Sequence, residues 1–139
     1  LQHEQVDITV VRDQHVKGEP QLAMDILEEI ASKVSIPLVL HGASGVNPDH
    51  VKLANQHGAE IGDARGDPDD AIRAAVKRGI CKVNIDTDMR IAFTAFMRKK
   101  LAESPDLFDP RKYLGAGRDG VREVVRTKIE LFGSAGKTG

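Results

Sequence analysis

"CKVNIDTDMR", residues 81–90, decides how the rest of this chain is read. A Cys, an Asn, two Asp and a Thr crowd around the apolar Val83 and Ile85. A strand built only for burial would read as a continuous apolar run. Here the apolar segment ends in small polar and acidic groups, and a helical pattern starts at once in "MRIAFTAFMRKKLAES", residues 89–104. Parallel α/β folds place their functional groups at such strand ends.

Working outward, the same grammar recurs. "VDITVV" (6–11) is a β-branched run and a predicted strand, followed by a polar loop over 11–20 that closes on Gly18 and Pro20. "QLAMDILEEIASKV" (21–34) spaces Leu22, Ile26, Ile30 and Val34 four apart, which predicts an amphipathic helix. "IPLVLH" (36–41) is a compact apolar strand running into "GASG". Residues 47–58 start with Asn47 as N-cap and Pro48 at the first helical position, and stop at Gly58. Residues 67–79 repeat an Asp-Pro start and a Gly stop. "CKVNID" (81–86) is a third strand, residues 105–117 read as a Pro/Gly-bearing connection, and 118–133 as a final amphipathic helix. Strands alternating with helices indicate an α/β fold with parallel strands. Three strands would leave long unpaired edges, and a (β/α)8 barrel takes roughly 250 residues. Either further strands lie hidden in the pattern or the chain is part of something larger, and its start without Met, close to a strand, reads as a cut or as the result of processing.

The composition excludes several classes. Among 139 residues, Lys plus Arg is 20 against Asp plus Glu 21, and aromatics are 4%, so neither a basic patch nor stacking surfaces suggest nucleic acid. No apolar run reaches the roughly 20 residues of a membrane span, and no basic and apolar leader opens the chain. The one cysteine, Cys81, excludes an internal disulfide and fits a reducing compartment; it reads as a buried small hydrophobe.

The candidate functional residues collect at the strand ends. His41 can offer a ring nitrogen to a metal, Gly42 and Gly45 allow close backbone approach, and Ser44 adds a hydroxyl. A Gly-rich turn with a merely hydrogen-bonded histidine is the competing reading. Thr87 or Asp88 can cap the helix that follows, and helix starts also bind phosphate. Capping does not explain Asn84, a polar residue inside an apolar strand. Arg90 lies on the wrong side of the helix dipole, which an anionic ligand would repair. Asp13, His15 and Lys17 follow the first strand, while His50 and His57 read as packed or solvated helix residues.

"PLVLHGASGV", "KVNIDTDMRIAFTAFMRK", "FDPRKYLGAGRDGVREVV" and "ELFGSAGK", in that order, resemble the class II, metal-dependent fructose-bisphosphate aldolases. The resemblance implies an α/β fold that is the C-terminal portion of a (β/α)8 TIM barrel with extra C-terminal helices. Residues 1–139 then form a single segment, with the first half of the barrel absent. It implies a cytoplasmic lyase of glycolysis and gluconeogenesis. Such an enzyme cleaves fructose 1,6-bisphosphate reversibly to dihydroxyacetone phosphate and glyceraldehyde 3-phosphate. Zinc or another divalent metal serves as Lewis acid, and there is room for a monovalent cation. His41 matches a zinc-ligating histidine, and Gly42 and Ser44 match the substrate-phosphate loop. Asn84 and Asp86 match catalytic substrate contacts, Thr87 a phosphate contact, and Arg90 and Arg111 arginines associated with the substrate phosphates. Arg111 is of the kind that often reaches across a subunit interface. The implied partners are a small sugar phosphate and either further copies of the chain or a complementary barrel half.

Departures from the family pattern are specific. The stretch "VVRDQHVKGEP" offers His15 near the place of another zinc histidine, but Val16 follows it where the family has glycine. Lys17 stands near the family's loop lysine. The segment carrying a further zinc histidine and the proton-moving acid has no counterpart. Two alternatives stay open: a truncated, catalytically incomplete sugar-phosphate-binding relative, and an aldolase for tagatose or sedoheptulose bisphosphate.

Overall fold

The computed structural model describes residues 6–9, 22–42, 44–62, 64 and 68–137. In chain order its elements are β1 (Val6–Thr9), α1 (Met24–Lys33), β2 (Leu38–His41), α2 (Pro48–Gln56) and α3 (Asp69–Lys77). They are followed by β3 (Ile80–Val83), α4 (Thr87–Glu103) and α5 (Pro110–Leu131). The expected alternation of strands and helices is observed. None of the described helices is long and apolar enough to cross a membrane. The chain divides into two compact units, Leu1–Gly45 with Gly66–Ile85, and Val46–Arg65 with Asp86–Gly139.

The first unit is built on a parallel sheet in the order β1-β2-β3. β2 is central, and Leu38, Val39 and Leu40 are all buried, the pattern of a strand covered on both faces. β3 is an edge among the described strands. It buries Ile80 and exposes Cys81 and Lys82, so Cys81 is an exposed thiol rather than the expected core residue. α1 also departs from its expected stripe: Leu27 is the buried residue, whereas Ile26 is 49% exposed. The face that packs contains Leu27 and Ala31, with the Ala31 methyl close to Gly79 at the end of α3. Arg78 Nε donates to Glu28 Oε1 at 2.6 Å, tying α3 to α1. Being exposed on both sides, that pair contributes up to about 1 kcal/mol.

The second unit is helical. Asn47 caps α2 as expected, its Oδ1 accepting from the Asp49 N–H at 2.9 Å, with Pro48 at the first position. α2 buries His50 and Ala54, and the His50 ring meets Phe96 of α4 edge-on at 5.7 Å. After α2 the Asn55 side chain accepts from the Ile61 N–H and donates to the Ile61 carbonyl, both at 2.9 Å, which pins the departing chain.

α4 and α5 lie against each other, and two glycines set how close they come. A methyl group at Gly117 would sit 2.7 Å from the Phe93 ring, and one at Gly120 would sit 2.7 Å from the Phe96 ring and 3.1 Å from the Ala92 carbonyl. This explains why α5 is longer than its sequence pattern suggested. The "GAG" at 115–117 reads as a breaker, yet the helix runs from Pro110, not 118. Gly117 and Gly120 are tolerated mid-helix because only hydrogen fits against the α4 aromatics. α4 likewise starts at Thr87, two residues before the expected start, because Thr87 and Asp88 are its first turn rather than its cap.

Asp109 caps α5. Its Oδ1 accepts from the Arg111 N–H at 3.0 Å, and the Arg111 guanidinium lies along the same carboxylate, Nε to Oδ1 at 3.0 Å and Nη2 to Oδ2 at 2.8 Å. That charged fork holds the Asp109 carboxyl below the usual aspartate value and raises the Arg111 guanidinium above its own.

Two outcomes follow. Gly120→Val is expected to destabilise the chain by about 1–3 kcal/mol through overpacking against Phe96 and Ala92. Gly115, with nothing near its missing Cβ, should gain up to about 1 kcal/mol as Gly115→Ala. Urea unfolding of the two variants checks the opposite signs. Secondly, a depressed carboxyl pKa gives the Asp109 cap its full contribution above the unfolded aspartate value, about 4, and loses it as pH falls through the lower folded value. Arg111→Ala should therefore move the Asp109 titration upward. Carboxyl-carbon NMR titration reads this, and an unmoved midpoint would show that the fork is not the cause.

Candidate functional site

Parallel pairing carries β2 and β3 in the same direction, so their C-terminal ends emerge side by side. Leu40 is paired with Val83, and the ladder continues one step further, the Asn84 N–H donating to the Leu40 carbonyl at 2.9 Å. The next side chains, His41 and Asn84, consequently meet. The Asn84 Nδ2 lies 2.8 Å from His41 Nδ1 and 3.2 Å from Nε2. An amide NH2 is only a donor, so the ring nitrogen it bonds is the accepting one. Both residues are half-buried. This gives Asn84 the partner that an apolar strand otherwise denied it. Gly42 follows with φ +73°, a left-handed conformation that suits glycine, and Ser44 and Gly45 are half-buried beyond it.

The expected metal was tested on this geometry. Catalytic zinc takes about three protein ligands. Among the described residues no group of three His, Cys, Asp or Glu side chains could hold a metal. The described residues therefore do not by themselves fit a zinc centre. His15 and Lys17 lie outside the described residues.

The second unit holds the remaining candidates. Asp86 occupies the cap position of α4 but makes no side-chain cap hydrogen bond. It pairs with Arg90, one turn on: Arg90 Nε to Asp86 Oδ1 and Nη2 to Oδ2, each 2.9 Å. The unfavourable position of Arg90 is thus compensated by a neighbouring carboxylate, where the sequence had suggested an anionic ligand. Thr87, exposed, is the first residue of the helix. Arg111 is 89% exposed, with its guanidinium on Asp109.

One feature of this unit was not anticipated. Asp88 and Lys128 are both buried, with Lys128 Nζ 3.8 Å from Asp88 Oδ2. Asp88 had been considered only as a cap. Its signal was nevertheless in the sequence: it lies in register with Ile91, Ala92 and Ala95 on the buried face of α4. Lys128 likewise falls in register with Gly117, Gly120, Val124 and Leu131 on the buried face of α5.

Comparison with known proteins follows this geometry. A family model described as "Fructose-bisphosphate aldolase class-II" matches residues 12–137. A fructose-bisphosphate aldolase of Thermus caldophilus is 49% identical over 121 residues, covering 87% of this chain and 40% of the relative. One of Giardia intestinalis is 44% identical over 123 residues, covering 88% and 38%. Among solved structures, the YdjI aldolase from Escherichia coli K12 is similar with a TM-score of 0.65 and 28% identity, covering 98% of this chain and 42% of that one. The chain thus spans about two fifths of the length of the relatives it matches. With the four motifs in order and the match extending over nearly the whole length, the chain belongs to the class II fructose-bisphosphate aldolase family.

Proposed function

We propose that this chain is the C-terminal portion of a class II aldolase, the part that grips the substrate. The reaction is the reversible, metal-assisted cleavage of fructose 1,6-bisphosphate to dihydroxyacetone phosphate and glyceraldehyde 3-phosphate. The observation that carries the reading is the 2.8 Å contact between Asn84 and His41 at adjacent strand ends, in a chain whose family uses residues of this kind there. The pair stands at the outlet of two parallel strands, where folds of this kind place their functional groups.

The roles are assigned group by group. In the strand unit, Gly42 and Ser44 offer a backbone approach and a hydroxyl to a phosphate, and Asn84 orients the substrate near its reacting carbons. In the helical unit, Thr87 presents a hydroxyl and an amide at the start of α4, where the helix dipole favours an anion. Asp86 is the carboxylate placed to bind a substrate hydroxyl, and Arg90 and Arg111 are the cations for phosphate. Both arginines would exchange a carboxylate partner in their own chain for the ligand. For Arg90 such an exchange costs little, because its pair with Asp86 is exposed on both sides. His41 is the zinc ligand these residues contribute. The other ligands, with His15 as one candidate, and the proton-moving acid belong to the rest of a (β/α)8 barrel. Among the described residues the sheet has three strands, and strands of that barrel, or of another copy, would cover its edges. The setting is cytoplasmic glycolysis.

The test is fructose 1,6-bisphosphate cleavage by this chain refolded together with the N-terminal part of the Thermus caldophilus relative. Chelator-sensitive cleavage is expected, with His41→Ala lowering it at least about a hundredfold. Phosphate binding without cleavage in the completed protein would instead identify a sugar-phosphate-binding relative that lacks the chemistry.

A further inference from the structure

Three helices of this chain begin after an Asn or Asp, and one of them is capped differently. Asn47 and Asp109 cap α2 and α5 in the usual way, each accepting from the backbone N–H two residues on. Asp86 stands in the same position before α4 and makes no such bond, its carboxylate lying along Arg90 instead. Inside the first turn, Asp88 Oδ1 accepts from the adjacent Met89 N–H at 3.1 Å. Asp88 is 2% exposed, and its Oδ2 has no hydrogen-bond partner. What that oxygen faces is Lys128 Nζ at 3.8 Å, itself 5% exposed, in the last turn of α5.

Each charge stands at the helix end where the dipole favours it, acidic at a start and basic at a finish. Even so, the arrangement is a poor way to gain stability. Two buried charges at this separation regain only part of their desolvation, and apolar residues of the same volume would serve as well or better. What a buried pair does supply is a fixed position, since neither charge can slide along the apolar face without losing its partner.

We infer that Asp88 and Lys128 are positioning residues. Their buried pair pins the first turn of α4 to the last turn of α5. The segment so held carries Thr87 and Arg90, with Asp86 directly before it, the groups assigned above to the sugar phosphate. The functional half of this inference rests on the proposed role of the α4 start in binding substrate.

The experiment uses the whole 139-residue chain and reads amide hydrogen exchange along α4 by NMR, together with titration of dihydroxyacetone phosphate. Lys128→Met should speed exchange at residues 88–90 roughly tenfold relative to the later turns of α4, and weaken dihydroxyacetone phosphate binding by a similar factor. Lys128→Arg should restore both. Should Lys128→Met fail to fold, the double variant Asp88→Asn with Lys128→Met removes both charges. It should keep the melting temperature while still loosening the first turn. Unchanged exchange at residues 88–90 would overturn the positioning role. So would a uniform rise across α2, α4 and α5, the mark of a general stabiliser. If dihydroxyacetone phosphate leaves the Thr87 and Arg90 amides of the unmodified chain unshifted, the substrate reading of this helix start fails, and the functional half of the inference with it.

Discussion

The distance between α4 and α5 is set by Gly117 and Gly120, and the helical unit follows from that closeness. With side chains at those positions the Phe93 and Phe96 rings would have to move outward, and the two helices would separate. Phe96 is also the ring against which His50 of α2 packs, so the same constraint reaches the third helix. It bears on Asp88 and Lys128 as well. A charged pair is worth burying only where the helices hold it at short range, and 3.8 Å leaves little slack.

In the strand unit the corresponding constraint is parallel register. Once Leu40 pairs with Val83, His41 and Asn84 have nowhere to go but alongside each other. No loop has to be folded into place to bring them together. His41 is the last residue of β2 and Asn84 directly follows β3, so strand register sets the pair.

Much of this was legible in the residues. The short apolar strands ending in polar groups gave the α/β order, and Asn47 with Pro48 marked the start of α2 correctly. The four motifs, in their order, carry the family resemblance that the family match over residues 12–137 shows. Misreadings came from local rules overridden by contacts. Glycine in "GAG" counted as a breaker because its close approach to Phe93 depends on another helix. Cys81 read as core because nothing in a four-residue strand says which strand will be the edge. Ile26 seemed to belong to the buried stripe because a four-residue spacing fits two neighbouring faces equally well, and α1 packs through Leu27. Lys128 passed unnoticed because a lysine on a helix is ordinarily solvated, although its spacing from Val124 and Leu131 placed it on the buried face.

The buried pair also restricts how this segment can diverge. An exchange at position 88 alone takes the Asp88 carboxylate from a buried ammonium, and one at position 128 alone takes from the buried Asp88 Oδ2 the ammonium it faces. Either intermediate is far less stable than the starting point or the doubly exchanged end point. Descent through single substitutions is therefore blocked at these two sites unless the rest of the helical unit first gains stability to spare. Residues 88 and 128, forty positions apart in the chain, thus constrain each other's replacement.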